Sequence, residues 1–147
     1  MSSNVRLIKK KDEFLVKRSM NVPRSKVSLA VGKCTDSFAG RTYIFAVGGQ
    51  ESALHASRAV ERYHTRADIW QQLPTLNEAR AEASSCVIGD CLYVFGGLSV
   101  QAGVKIFTQL KTIEKLSLRF SKDTLTFTQI EPKLPFGVSN IGVVPIS

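Results

Sequence analysis

Three cysteines and two histidines are the residues in this sequence whose side chains could support covalent or metal chemistry. Cys86 and Cys91 are separated by four residues, and no second cysteine–histidine pair stands at a spacing that would complete a zinc site. The two cysteines flank a predicted hairpin, where a disulfide could form. Thiols stay reduced in an intracellular setting, so we interpret both as small core residues and predict no bound metal.

Cys34 is the third thiol. It stands next to Lys33, whose charge favours a thiolate, and close to Asp36, which opposes that effect. Because Cys34 lies in or beside an insertion in the repeat described below, we expect it to be exposed. A reactive-thiol role remains the alternative.

The histidines give no sign of a catalytic centre. Neither His55 nor His64 has a serine, cysteine or acid at a spacing that suggests a triad. The sequence contains no Gly-x-Ser-x-Gly, His-Glu-x-x-His, P-loop or dinucleotide-binding motif. We therefore predict no catalytic residue and no cofactor.

Composition is that of an ordinary globular protein. Of 147 residues, 44% are hydrophobic and 22% are charged, which argues against wholesale disorder. No stretch approaches the run of about 18 apolar residues that a membrane helix needs, and residues 1–6 lack the apolar run of a signal peptide. These features predict a cytoplasmic protein without a membrane segment.

The net charge of +8 is concentrated near the N-terminus. Residues 1–33 contain nine lysines and arginines and two acids, a net of +7. The basic run at residues 9–11 lies between apolar segments and is interpreted as a solvated turn. No aromatic residues alternate with it to stack on bases, so we predict no nucleic-acid partner.

The chain repeats itself. Residues 43–49 and 92–97 are two short β-branched and aromatic runs, and each ends in a glycine pair. The pairs lie 48 residues apart, a period that is typical of a four-stranded propeller blade.

Large side chains recur downstream of the glycine pairs. Tyr63 precedes Trp70 with six residues between them, and Arg80 follows ten residues after Trp70. Tyr63 and Trp70 are predicted to lie on adjacent strands and to fill the gap between blades. We interpret Arg80 as a structural residue whose stem packs on an aromatic ring. The equivalent positions in the flanking copies are Leu7, Phe14 and Arg24, and Leu116, Phe127 and Gly137.

This pattern resembles the kelch repeat. The resemblance is carried by the glycine pairs, the spaced aromatics and the arginine: Gly48, Gly49, Tyr63, Trp70, Arg80, Gly96 and Gly97. It implies an all-β fold, a partial β-propeller of four-stranded antiparallel blades with about two full blades and flanking strands. Residues 1–147 would form one array, with a half blade at 5–18, blades at 24–74 and 80–131, and the first strand of a further blade at 138–146.

The resemblance also implies function, since many kelch proteins bind other proteins through loops on one face. We therefore expect a non-enzymatic interaction module with an unidentified protein partner. Loops on rigid scaffolds often carry binding, and the polar candidates in the loops at 50–58 and 98–112 are Glu51, His55, Arg58, Gln101 and Lys105. The alternatives are a propeller enzyme acting on a small molecule and a truncated array with little independent function.

The length sets one further expectation. Propellers close with about four to eight blades, and closure protects the strand edges. Two full blades are too few, so we expect a fragment of a longer array, a homo-oligomer that shares blades or an open arc.

Overall fold

A computed structural model describes residues 7–10, 13–34, 41–100, 106–119 and 125–146. Every regular element in these ranges is a β-strand, as the sequence predicts. None of the described segments forms a helix with the length and apolar character that crossing a bilayer requires. The strands are β1 (Leu7–Lys10), β2 (Glu13–Val16), β3 (Ser28–Cys34), β4 (Arg41–Val47), β5 (Gln50–Ser52), β6 (His55–Ala56), β7 (Val60–His64), β8 (Ile69–Gln72), β9 (Ser84–Ile88), β10 (Cys91–Phe95), β11 (Leu98–Val100), β12 (Phe107–Gln109), β13 (Ile113–Ser117) and β14 (Thr128–Ile130).

Two four-stranded antiparallel sheets dominate the structure. Blade 1 has the strand order β3-β4-β7-β8, and blade 2 has the order β9-β10-β13-β14. Each is a meander in which hydrogen-bonded neighbours follow one another along the chain. The small hairpins β5–β6 and β11–β12 fill the connection between the second and third strands of each blade, and β1–β2 precedes blade 1. This arrangement confirms the prediction of four-stranded antiparallel blades.

Cross-strand register refines the predicted aromatic pairs. Tyr63 pairs directly with Trp70, and their ring centroids lie 5.0 Å apart. In the first hairpin, however, Phe14 pairs with Lys9 rather than Leu7. The connection there is two residues long, whereas four residues separate β7 from β8, so an equal spacing in sequence gives a different register.

The hydrophobic core lies between the two blades. Side chains alternate along a strand, so every second residue points toward the neighbouring blade. The innermost strands approach closely: a Cβ on Gly32 would lie within 2.5 Å of Val87, and Ser28 Oγ lies 2.7 Å from Ser85 Oγ. The buried residues of this core are Ala30, Cys34, Tyr43, Phe45, Val47, Val60, Leu76, Leu92, Val94, Leu116, Leu118 and Phe127.

None of the three cysteines forms a disulfide with a described residue. The expectation that Cys34 is exposed is wrong, since its side chain is 0% exposed. It ends β3 on the same face as Ala30, which the alternation of that strand turns into the core. Cys86 is buried, Cys91 is partly buried, and the two are not cross-strand partners. Burial raises the pKa of the Cys86 thiol, which keeps that sulfur protonated.

The C-terminal segment follows blade 2. Residues 138–146 are described without a strand, and the first strand of a further blade there stays a prediction. Val138 nevertheless takes the position of Arg80: its carbonyl accepts from Gly97 N at 2.7 Å, as the Arg80 carbonyl accepts from Gly49 N at 2.9 Å. Val138 rather than Gly137 therefore replaces the repeat arginine.

Three residues with positive φ mark the same point in successive repeats. Lys26, Glu82 and Asn140 have φ values of 52°, 52° and 53°, and each stands two residues after the arginine or its replacement. Glu82 N donates to Lys26 O at 3.1 Å, and Asn140 N donates to Glu82 O at 2.8 Å. The backbone thus links successive repeats through equivalent atoms. Residues 35–40, which directly follow Cys34 in the region of the predicted insertion, and residues 120–124 lie outside the described residues.

Candidate protein-binding face

The glycine pairs let each blade receive the start of the next repeat. Gly48 and Gly49 have φ values of 58° and 110°, and Gly96 and Gly97 have values of 56° and 101°. Glycine adopts such angles without strain. A Cβ on Gly48 would also clash with the Arg80 carbonyl. The glycine pairs therefore fix how neighbouring repeats join at this end of the blades.

A buried ion pair lies at the same end of blade 1. Arg24 Nη1 lies 2.7 Å from Glu61 Oε1, and both side chains are 0% exposed. Arg24 Nε donates to Gly48 O at 2.7 Å, and Nη2 donates to Ala46 O at 3.0 Å. The other glutamate oxygen accepts from Asn21 N at 2.8 Å. Both charges are thus compensated and hydrogen-bonded, as buried charges must be.

Blade 2 repeats this cluster. Arg80 Nη2 lies 2.6 Å from Glu114 Oε1, again with both side chains 0% exposed. Arg80 Nη1 donates to Gly96 O at 2.7 Å, and Asn77 N donates to Glu114 Oε2 at 2.7 Å. The contacts of Arg80 therefore run through its terminal guanidinium nitrogens, to two glutamates, to the Thr112 hydroxyl and to backbone carbonyls. Sequence reasoning singled out the arginine but missed its partner, although an acid recurs two residues before Tyr63 and Leu116.

Tyr63 and Trp70, the two spaced aromatics, lie on β7 and β8, the outer strands of blade 1. Tyr63 is fully buried, and its hydroxyl donates to Asp68 Oδ1 at 2.6 Å. Trp70 is only partly buried, and its Nε1 donates to Arg18 O at 2.8 Å. Arg18 N in turn donates to Asp68 Oδ1 at 3.1 Å. The Tyr63 hydroxyl, followed by the Arg18 amide, holds the pKa of Asp68 below its ordinary value of 3.8.

The loop at 50–58 contains two of the predicted partner residues, Glu51 and Arg58, and both are exposed. Glu51 is exposed, and its Oε1 accepts from Ser57 Oγ at 2.6 Å. Arg58 is also exposed, and its Nε donates to Leu76 O at 2.6 Å. This bond anchors the guanidinium while its terminal nitrogens remain available to solvent.

The remaining predicted partner residues lie elsewhere. His55 is exposed at the start of β6, where its Nδ1 lies 2.9 Å from Ser52 Oγ. Gln101 and Lys105 fall outside the described residues. Within the ranges given above, no three histidine, cysteine, aspartate or glutamate side chains cluster as ligands for a metal ion.

An open pocket of about 300 Å³ connects this loop to blade 1. It unites Glu51 and Arg58 with residues of β7 and β8, which the sequence did not associate with them. Its wall combines four apolar side chains with five polar or charged ones. The lining residues are Val22, Glu51, Arg58, Ala59, Val60, Glu61, Gln72, Leu73 and Thr75.

Four-stranded antiparallel blades that follow one another along the chain, each joined to the next at a glycine pair, define a repeat protein of the β-propeller type. The Kelch motif family model matches residues 37–77 and 79–122, more than half of the chain. The chain therefore belongs to the kelch-motif family.

Similar proteins carry the same repeat. Human Kelch-like protein 28 is 33% identical over 104 residues, which cover 69% of this chain and 17% of that protein. Kelch-like protein 25 of Xenopus tropicalis is 30% identical over 138 residues, or 92% of this chain and 21% of that protein. Kelch repeat protein M-T8 of Myxoma virus (strain Lausanne) is 31% identical over 65 residues, or 44% and 12%. The chain spans about a fifth or less of the length of these relatives.

Proposed function

We propose that this kelch-repeat chain is a non-enzymatic protein-interaction module that binds its partner through the loop at 50–58 and the adjacent pocket of blade 1. The observation that carries the proposal is that exposed Glu51 and Arg58 line the same open pocket beside the sheet of blade 1. A rigid sheet holds this pocket, and loops on such scaffolds are favoured binding positions. Both charges are anchored at one atom and open to solvent at the others.

The face of blade 1 that points away from blade 2 exposes apolar side chains. Leu29 and Val31 on β3 are each 63% exposed. They hold the register positions that Ser85 and Val87 hold on β9, where blade 2 packs against blade 1. We propose that another blade covers this face, from a longer polypeptide or from a second copy. We also propose a cytoplasmic location, because three cysteines without a disulfide among them are typical of a reducing compartment.

Site-specific crosslinking tests the binding face. A photoreactive residue at Leu54, which is exposed in the loop at 50–58, should form adducts with a protein partner in cells. The matched control is Arg66, which is exposed in the turn between β7 and β8 at the opposite end of the same strands. Adducts at Leu54 that disappear in a Glu51→Ala, Arg58→Ala double variant support the proposal. Equal adducts at both positions, or none at Leu54, would overturn it.

A further inference from the structure

The pocket of blade 1 has a counterpart in blade 2, and the repeat register identifies it. Val22 stands two residues before Arg24, as Glu78 stands two residues before Arg80. The two arginines are equivalent, since each forms the buried ion pair of its own blade. Val22 and Glu78 are therefore equivalent positions in successive repeats.

Two further pocket residues have equivalents in blade 2. Ala59 directly precedes β7, and Thr112 directly precedes β13. Gln72 pairs across the sheet with the buried glutamate of blade 1, and Gln129 pairs with the buried glutamate of blade 2. The same three positions thus surround the same space in each blade.

In blade 2 a carboxylate occupies this space. Glu78 Oε2 accepts from Arg80 Nη2 at 3.2 Å and from Gln129 Nε2 at 3.2 Å. It also accepts a hydrogen bond from Thr112 Oγ1. Glu78 is 34% exposed, so the carboxylate lies at the surface end of the buried cluster. This position is surrounded by hydrogen-bond donors that suit a negative charge.

In blade 1 the space is open because two side chains are shorter. Val22 supplies no carboxylate, and Ala59 supplies no hydroxyl. Two donors remain at the pocket: the exposed Gln72 amide, which forms no side-chain hydrogen bond with any described residue, and the terminal nitrogens of Arg58. A guanidinium offers two parallel N–H groups that match the two oxygens of a carboxylate.

We propose that the blade 1 pocket binds the carboxylate of an acidic side chain from the protein partner, which takes the place that Glu78 fills in blade 2. This inference rests on the proposed function and names the chemistry that the pocket recognises. Glu51 also lines the pocket and repels a second negative charge, so the site accepts a single acidic side chain with neutral or basic neighbours rather than an acidic run.

Nuclear magnetic resonance with small probes tests the inference. The probes are N-acetyl-glutamate N-methylamide and its uncharged glutamine analogue, titrated into the full chain. The acid should shift the Gln72 side-chain amide signals saturably, and the amide analogue should bind at least about tenfold more weakly. Arg58→Ala should weaken binding of the acid by about tenfold. The matched control Lys111→Ala, at the equivalent position in blade 2, should leave it unchanged.

Val22→Glu provides the strongest test, because it places in blade 1 the carboxylate that blade 2 already has. It should abolish probe binding while the chain remains folded by thermal melting. Gln72→Leu, which removes a donor without filling the pocket, should weaken binding as a second variant. Equal binding of acid and amide, or full retention in Val22→Glu, would overturn the inference even if crosslinking at Leu54 succeeds. Selective probe binding without crosslinked partners would support the inference and contradict the proposed function.

Discussion

Blade 1 and blade 2 share a buried arginine–glutamate pair but differ at the residue two positions before the arginine. In blade 2, Glu78 gives Arg80 a second carboxylate. In blade 1, Val22 gives none, and its backbone carbonyl accepts from Arg24 Nη1 at 3.0 Å instead. The pair is common to both repeats because it holds the fold, whereas the neighbouring position is free to differ. Such a position can give one blade a binding pocket that its neighbour lacks.

The innermost strands of the two blades, β3 and β9, also differ at an equivalent position. Gly32 on β3 faces blade 2 and leaves room for Val87. Its equivalent on β9 is Ile88, which is 49% exposed because no described blade covers that face. Side-chain size at one repeat position therefore follows the neighbour that it meets rather than the repeat itself.

Removing one partner of the shared ion pair should have the largest effect. Arg80→Met leaves Glu114 buried without its counter-ion and should lower the free energy of unfolding by about 3–5 kcal/mol. Arg24→Met should do the same in blade 1. Urea denaturation measures both losses. The exposed pair of Lys26 and Glu82 is the control, and Lys26→Met should change stability by less than about 1 kcal/mol.

A double replacement tests whether the stability lost in the single variant comes from the unpaired buried charge. Arg80→Met combined with Glu114→Leu removes both charges and should recover most of the stability that the single change loses, since buried pairs can often be replaced by apolar residues. A double variant no more stable than the single one would contradict this account of the cluster.

The close approach of the innermost strands gives the next largest effect. Gly32→Ala forces the added Cβ against Val87 and should destabilise the chain by about 1–3 kcal/mol. Adding Val87→Ala in the same chain should restore part of this loss in a thermal melt. The half-exposed Ile88, changed to Ala, is the matched control and should have a smaller effect. A neutral Gly32→Ala variant would show that the two blades pack less tightly than described.

Opening the blade 2 counterpart of the pocket should have a smaller effect. Glu78→Val removes the acceptor used by Thr112, Gln129 and Arg80 and should lower stability by about 1–2 kcal/mol. It should also create a second acid-binding pocket in the probe titration. Unchanged stability would mean that Glu78 contributes no net hydrogen-bond energy.

The loss of stability at low pH that is due to Asp68 in blade 1 should be the smallest effect. Because the pKa of Asp68 is lowered in the folded chain, its stabilising effect is present above the ordinary value of 3.8 and is lost as pH falls through the lower folded value. Between about pH 5 and about pH 3 the melting temperature of the wild-type chain should therefore fall more than that of Asp68→Asn. Blade 2 has Leu116 in place of Tyr63 and lacks this hydrogen bond. An equal fall in both proteins would contradict the assignment.

The sequence predicts most of the fold but only part of the candidate site. Glycine pairs and spaced aromatics are visible because backbone angles and inter-blade gaps demand particular residue types. Cys34 was misplaced because its position in or beside an insertion was weighed above the alternation of β3. The first hairpin was misaligned because residue spacing does not reveal turn length. The sequence did not reveal the pocket, because the pocket is open only where Val22 lacks the carboxylate that Glu78 supplies in blade 2.

The buried ion pairs have a consequence for how such chains change over evolution. Arg24 pairs with Glu61, and Arg80 pairs with Glu114, each within a single repeat. The described bonds between blades are mainly backbone bonds, together with one serine contact and one exposed ion pair. Duplicating or deleting a whole repeat would therefore leave no buried charge without its partner. The number of blades can vary while each blade keeps its own arginine–glutamate pair.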